Sequence, residues 1–267
     1  MLDALRNLFR SKTQGRLPAV PEGMRYYVIG DIHGRLDLYD ALLAAIEEDD
    51  AQRGQHQTEV ILLGDLVDRG PESAGVIART REWQEKRTVR VLAGNHEEMF
   101  LEAFEKPDVL RHFLKHGGRE TIMSYGISKK QFNAMTLDEL FAMLPQIVPQ
   151  SERDYIADFE EMIIAGDYLF VHAGIDPAVP IEAQKRGDML WIRDRFLSHE
   201  GPLEKVVVHG HTIFDRVMDC GNRIGIDTGA FRSGVLTALV LEADQKRILQ
   251  ACDNEGQIEI FHGDRGR

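Results

Sequence analysis

The sequence predicts an α/β fold with two stacked β-sheets flanked by helices. Three observations carry that expectation. Apolar runs alternate with segments of helical periodicity through the first hundred residues, the pattern of a parallel sheet with crossover helices. Each of those runs stops at a small residue followed by a polar one: Gly30-Asp31, Gly64-Asp65 and Gly94-Asn95. The last part of the chain is then dominated by short apolar runs and turn residues, so the chain starts α/β and finishes β-rich.

Taken in order, Pro18, Pro21 and Gly23 set off an N-terminal arm, and residues 1–23 read as an extension to a domain of residues 24–267. Tyr26 to Ile29 is a short buried strand. Leu38, Leu42, Leu43 and Ile46 share one face of a helix from Leu36 to about Asp49. Val60 to Leu63 is the second strand, Pro71 and Ser73 open a helix carrying Ile77 and Trp83, and Val89 to Leu92 is the third strand. From Glu97 to Asp158 the pattern is helical and polar, broken at Gly117-Gly118, Gly126 and Pro145, which predicts a helical insertion over about residues 104–158. Strands return at Tyr168–Val171, Val206–Val208 and Ile224–Ile226. Two antiparallel neighbours follow near 234–241 and 248–252, and a last strand near Ile258.

Composition narrows the function. The 267 residues, 43% of them hydrophobic, can bury a full core. A formal net charge of -12 disfavours general binding to nucleic acid or anionic membranes, so an anionic substrate would need a local positive site, such as bound metal ions. The two cysteines, Cys220 and Cys252, cannot form a disulfide framework and fit free thiols in a reducing cytoplasm. Each lies beside a turn-like pair, which could make them neighbours across a sheet. No apolar run is long enough to span a membrane. In Met1 to Arg16, Leu2, Leu5, Leu8 and Phe9 stand among basic residues without a continuous apolar stretch, so this arm is not a secretory signal; it reads as a frayed or locally docked extension, with a short interfacial helix on a membrane as the alternative.

Five segments carry chemistry, each at a strand end where ligands of α/β sheets collect. Gly30-Asp31-Ile32-His33-Gly34 places a carboxylate and an imidazole where both can face one ion, although Gly-Asp and His-Gly are also ordinary turn pairs. Gly64-Asp65-Leu66-Val67-Asp68-Arg69-Gly70 offers two carboxylates and a planar guanidinium suited to phosphoryl oxygens; the plain alternative is an Asp–Arg surface ion pair. Gly94-Asn95-His96-Glu97 supplies a neutral oxygen ligand and an acid–base group, or else Asn95 simply caps a helix beginning near Glu97. Val171-His172-Ala173-Gly174 and Val208-His209-Gly210-His211-Thr212 add imidazoles at two further strand ends.

Together these segments, in this order from about Tyr26 to Ala230, resemble the PPP-type metallophosphoesterases. That group contains serine/threonine phosphoprotein phosphatases and symmetrical diadenosine tetraphosphatases. The resemblance implies the calcineurin-like metallophosphoesterase fold, a central β-sandwich flanked by helices. It implies that Asp31 and His33 bind one metal, that Asp65 bridges two, and that Asn95, His172 and His211 complete the second. His209 remains a supporting group. Asp227-Thr228-Gly229-Ala230 resembles the closing segment of the family, and Trp191-Ile192-Arg193-Asp194-Arg195 its Trp-x-Arg-x-Arg segment. Arg69 and Arg193 would then bind the phosphoryl group, with Arg195 the competitor of Arg193, and His96 paired with Asp68 would protonate the leaving oxygen. Two dications of Mn²⁺, Fe or Zn²⁺ suit the oxygen–nitrogen donors, Mn²⁺ foremost by family habit, and activate a bridging water.

The expected activity is therefore phosphomonoester hydrolysis on phosphoproteins of the serine/threonine type. The alternative is symmetrical cleavage of a dinucleoside polyphosphate. The segment from Phe104 to Asp158 is the discriminator: an aromatic clamp formed by Phe113, Tyr125 or Phe132 beside basic residues would favour nucleotides.

Overall fold

The computed structural model describes residues 16–264, so the amphipathic arm read in the sequence lies outside the described residues apart from Arg16. Two sheets stack face to face. The first has six strands in the order β11-β10-β9-β1-β2-β3 and the second five in the order β4-β5-β6-β8-β7. In the first sheet β1 (Met24–Ile29), β2 (Gln57–Leu62) and β3 (Val89–Val91) run parallel, joined by the helices α1 (Leu36–Gln52) and α2 (Ser73–Gln84). The long C-terminal strands β9 (Val235–Glu242), β10 (Gln245–Asn254) and β11 (Gln257–His262) extend it antiparallel from β1. In the second sheet β5 (Tyr168–Val171), β6 (Val206–His209) and β8 (Arg223–Gly225) are parallel, edged by β4 (Met162–Ala165) and β7 (Met218–Asp219).

The apolar runs are continuous because both of their faces are covered. Tyr26 and Val28 of β1 point into the sandwich, against Phe170, Val208 and Ile224 of the second sheet. Tyr27 and Ile29, one residue out of phase, pack under Leu38, Leu42 and Ile46 of α1. The outer face of the second sheet is closed by Met189, Ile192 and Phe196, which cover Leu169, Val171 and Val207.

The chain from Asn95 to Ala157 is helical: α3 (Asn95–Glu102), α4 (Pro107–Phe113), a π turn (Leu114–Gly118), α5 (Arg119–Ser124), α6 (Lys129–Ala134), α7 (Leu137–Ile147) and α8 (Gln150–Ala157). The expected break at Gly117 is present. Its φ of 109° is open to glycine, and an added Cβ would stand 2.5 Å from the Arg69 nitrogen. The expected break at Pro145 is not: Pro145 lies inside α7, which a Thr136–Glu139 capping box starts and Leu140 and Leu144 bury. Near the end of a helix, Pro145 forfeits only one intrahelical bond, and packing outweighs it. Strands β4 and β7 escape the sequence pattern because both are short edges. The two cysteines belong to different sheets, Cys220 exposed beside β7 and Cys252 buried in β10, so they are not neighbours across a sheet.

Phe170 sits at the centre of the sandwich, with Tyr26 and Tyr168 stacked 6.2 and 6.4 Å from it. Phe170→Ala removes the ring that both neighbours lean on. Urea unfolding of the variant should show a loss of about 3–5 kcal/mol, the usual range for a buried Phe→Ala change; a loss below about 1 kcal/mol would place the core elsewhere.

Candidate active site

Both sheets present the carboxyl ends of their parallel strands to one edge of the sandwich. Asp31, Asp65 and Asn95 follow β1, β2 and β3, while His172 follows β5 and His211 follows β6. All five are buried, as are His33, Asp68 and His96. The chain turns sharply to deliver them. His33, Asp65, Asp68, Arg69 and His211 all have left-handed φ values between 48° and 72°, a conformation that costs non-glycine residues about 1–3 kcal/mol each and concentrates at functional sites. The glycines beside them allow close approach: a Cβ on Gly94 would stand 2.2 Å from an Asp65 carboxylate oxygen, and one on Gly210 2.1 Å from that of Asp31.

Asp65 is the meeting point. Its carboxylate lies 3.5 Å from His33 Nε2, 3.5 Å from His172 Nε2 and 3.9 Å from His96 Nε2. Burial alone would raise its pKa, but His172, His96, His33 and His211 around it hold it well below the usual carboxylate range. Burial, then Asp227 and Asp65, push Asp31 the other way, well above that range. Asp31 accepts the His211 backbone N–H at 3.1 Å.

The imidazoles are arranged as metal ligands. His33 donates its Nδ1 hydrogen to the Val67 carbonyl at 2.8 Å, and His172 donates its own to the Leu63 carbonyl at 2.8 Å, which leaves each Nε2 lone pair facing Asp65. His172 Nε2 then meets the Asn95 side-chain oxygen at 3.0 Å, two acceptors face to face, the kind of contact that a cation between them relieves. His211 joins the same oxygen through Nδ1 at 2.8 Å, and its buried Nε2 has no protein partner. Two sets of donor atoms, His33–Asp65–His96 and Asp65–His172–His211, each lie within 4.8 Å of one another and share Asp65. The residues present therefore fit a pair of divalent ions. Asp31 falls outside both sets, and His96 enters one in its place.

His96 is also tied elsewhere. Its Nδ1 hydrogen bonds Asp68 at 2.6 Å, and Thr121 donates to the other Asp68 oxygen at 2.6 Å. Burial opposes charge on His96, but Asp65 and Asp68 outweigh it and raise its pKa. Asp68 therefore serves His96 and is no surface partner of Arg69. The Arg69 guanidinium reaches His33 Nε2 and His96 Nε2, both at 2.8 Å. Of the two competing arginines, Arg195 is held by Asp176 at 2.9 Å and Asp188 at 2.7 Å, whereas Arg193 is exposed and contacts Thr212 beside His211 at 3.3 Å.

Four residues at the site have no assigned role in the motif reading. Glu97 accepts the backbone N–H groups of Gly94, Asp65, Leu66 and Val67 at 2.8–3.2 Å and so fastens the β2 loop to the start of α3. Gly94 is the N-cap, with Glu97 reaching back to it, and Asn95 is the first helical residue; its side chain is free for the site. The Gly-Asn-His-Glu spacing carries the signal for Glu97. Asp227, in the closing segment, is buried with one carboxylate oxygen unpartnered. Thr121 and Phe231 have no sequence signal: their roles come from the insertion and the last turn folding back onto Asp68 and Arg69.

Fold and donor set together define a metal-dependent phosphoester hydrolase. The sequence pattern of the calcineurin-like phosphoesterases matches residues 24–230, and the chain belongs to that family. It is 30% identical to serine/threonine-protein phosphatase 1 of Salmonella typhimurium (79% of this chain, 89% of the relative) and 30% identical to serine/threonine-protein phosphatase 2 of Escherichia coli (79% and 90%). It is 26% identical to the asymmetrical bis(5'-nucleosyl)-tetraphosphatase PrpE of Anoxybacillus flavithermus (81% and 90%). The crystal structure of a cold-active protein tyrosine phosphatase superposes with a TM-score of 0.51 at 18% identity (94% and 86%), a likeness of fold.

Burial holds His33, His172, His209 and His211 below the ordinary imidazole pKa, His209 down to about 4. Below about pH 6.5 the unfolded chain binds protons that these folded imidazoles refuse. The share of stability that these imidazoles contribute to the metal-free protein should be full above about pH 6.5 and fall as the pH drops toward about 4, whereas Asp31, Asp68, His96, Glu97 and Asp227, held above their ordinary pKa, act in the opposite sense. NMR titration of the imidazole signals of chelator-treated protein between about pH 7.5 and about pH 5 isolates the first contribution; imidazoles of these four residues that take up protons near pH 6.5 would mean they are not buried in neutral form.

Proposed function

We propose that the chain is a metal-dependent phosphomonoesterase of the serine/threonine phosphoprotein phosphatase type. Asp31 and His33 would hold the first ion, Asp65 both, and Asn95, His172 and His211 the second. When bound, two such ions would neutralise phosphoryl charge and supply a water of lowered pKa. The donor set without sulfur suits Mn²⁺, Fe or Zn²⁺, and Mn²⁺ is the ion assigned. Arg69 and Arg193 would bind phosphoryl oxygens through their N–H edges. Asp68 accepts the Nδ1 hydrogen of His96 and stabilises the charged ring, so His96 would keep its transferable proton at Nε2, on the side that Arg69 and Asp65 also face. Arg193 is preferred over Arg195 because the latter is already neutralised by two carboxylates.

The choice of substrate rests on where the aromatic residues of the insertion point. Phe113 is buried in the core, and Tyr125 stacks on Phe100 and donates its hydroxyl to Glu152 at 2.6 Å. Neither is free to clamp a base, which supports a phosphoprotein over a nucleotide. Phe132, under the Arg119 guanidinium at 5.3 Å, is the contact on which a dinucleoside polyphosphate reading would draw. For that second reading the PrpE relative is named asymmetrical, so a symmetrical cut has no support. Cytoplasmic placement is part of the same proposal. It is consistent with two free cysteines and, among the described residues, no helix long and apolar enough to cross a membrane.

The decisive measurement is a substrate panel of phosphoserine, phosphothreonine and phosphotyrosine peptides and diadenosine tetraphosphate, assayed after chelation and after addition of Mn²⁺. Turnover of phosphoserine or phosphothreonine peptides that vanishes on chelation and returns with Mn²⁺ is expected; turnover of diadenosine tetraphosphate alone would transfer the assignment to the nucleotide reading. A second test isolates His96. His96→Asn should retain bound Mn²⁺ and lower kcat by ~10²–10⁴-fold on an alkyl phosphate, the scale of general acid catalysis, and by much less on p-nitrophenyl phosphate, whose leaving group needs no proton. Equal losses on both, or loss of metal, would contradict the role.

A further inference from the structure

Arg69 differs from most arginines of this protein in how it is held. Arg25, Arg35, Arg79, Arg87, Arg90 and Arg247 are each fixed by carboxylates. Among the described residues no carboxylate lies in ion-pair range of Arg69. Its guanidinium instead lies over the ring of Phe231, 4.7 Å from Cζ to the centroid. The same ring and His33 form a T-shaped pair, centroids 5.3 Å apart and planes at 86°. A guanidinium over an aromatic ring is held without losing its charge, and the terminal nitrogens of Arg69 meet ring nitrogens of the site, His33 Nε2 and His96 Nε2, and no carboxylate. A carboxylate would have occupied those donors and cancelled the charge.

Phe231 is itself set rigidly. It lies in a one-turn helix, α9 (Ala230–Ser233), bracketed by Gly229 and Gly234, both with φ of 71°. Asp227 accepts the Gly229 N–H at 2.8 Å, Ser233 donates to the Thr228 carbonyl at 2.7 Å, and Arg35 donates to the Ala230 carbonyl at 3.1 Å. None of these contacts involves Arg69, so the backbone turn that carries the ring is set independently of the arginine. The side-chain contact of Arg69 with His33 is through Nε2, the nitrogen assigned to the ion, whereas the contact with the Phe231 face makes no demand on a ligand atom.

We propose that Phe231 is a positioning residue for the phosphoryl group: it holds the plane of the Arg69 guanidinium so that its N–H edge meets the substrate oxyanion. This rests on the assignment of Arg69 as a phosphoryl-binding group. The test is the affinity of the Mn²⁺-loaded protein for inorganic phosphate, measured by calorimetry, with bound Mn²⁺ counted in every variant. Phe231→Leu keeps apolar packing against His33 but removes the π face, and should weaken phosphate binding by about 3- to 10-fold at unchanged Mn²⁺ content. Phe231→Tyr should restore the affinity. In an Arg69→Ala background, where phosphate binding is already reduced, Phe231→Leu should cause no further loss. A full additional loss in that background, no loss in the wild-type background, or loss of Mn²⁺ from Phe231→Leu would each overturn the proposal. Unchanged phosphate affinity in Arg69→Ala alone would remove the Arg69 assignment instead, and the proposal with it.

Discussion

Asp65 is a carboxylate with almost no access to water, and burying an isolated anion is among the costliest things a fold can do. Here the cost is offset by the imidazoles of His33, His96 and His172, which reach it from the ends of three different strand–loop segments across two sheets. The arrangement explains why the two sheets must stack with their parallel carboxyl ends at the same edge. Were either sheet turned over, Asp65 would lose His172 and keep only the partners on its own sheet. It also explains why so many buried polar groups can coexist in one place. His33 and His172 donate Nδ1–H to backbone carbonyls and turn the other nitrogen inward. The pocket is thereby rich in lone pairs and negative charge, the electrostatics that a pair of divalent cations satisfies.

Holding that pocket open requires backbone that would not adopt these conformations by preference. Five site residues sit at positive φ, and the strain is compensated by contacts just outside the ligands. Glu97 gathers the N–H groups of the β2 loop, which would otherwise be buried without acceptors, and thereby fixes the left-handed turn at Asp65. Thr121 and Ser73 do the same for Asp68, whose N–H both of them accept. The helical insertion thus has a part in the site: through Gly117 and Thr121 it presses on the Asp68–Arg69 turn, so its packing is transmitted to the His96–Asp68 pair and to the Arg69 guanidinium.

Much of this is legible in the sequence because the ligands fall where periodic apolar runs end. The strands ending at Gly30, Gly64 and Gly94, and the histidines after Val171 and Val208, locate the site without any contact map. What the sequence hides is of two physical kinds. Short edge strands such as β4 and β7 have too few residues to show a period and are defined by their neighbours. Residues such as Thr121 and Phe231 come from segments 53 and 162 positions distant in order from Asp68 and Arg69, and nothing in their local pattern marks them; only the fold brings them there. Pro145 is the converse: its local rule is clear, and burial of Leu140 and Leu144 overrides it.

A chain of net charge -12 that acts on a phosphoryl group has to solve a problem of local sign. Among the described residues most arginines are paired with carboxylates, and an arginine so paired offers a phosphate little. The exceptions at the site are held by uncharged groups: Arg193 by the Thr212 hydroxyl, Arg69 by the face of Phe231 and by ring nitrogens. Arg195, two positions away from Arg193 and of identical chemistry, is neutralised by Asp176 and Asp188 and so serves to fix the segment that presents Arg193. Two arginines of identical chemistry thus differ here by partner and not by position: one is neutralised and the other keeps its charge. The surrounding acidity repels anions in general, while the few uncompensated guanidinium groups, together with bound cations, confine attraction to the one edge where both sheets end.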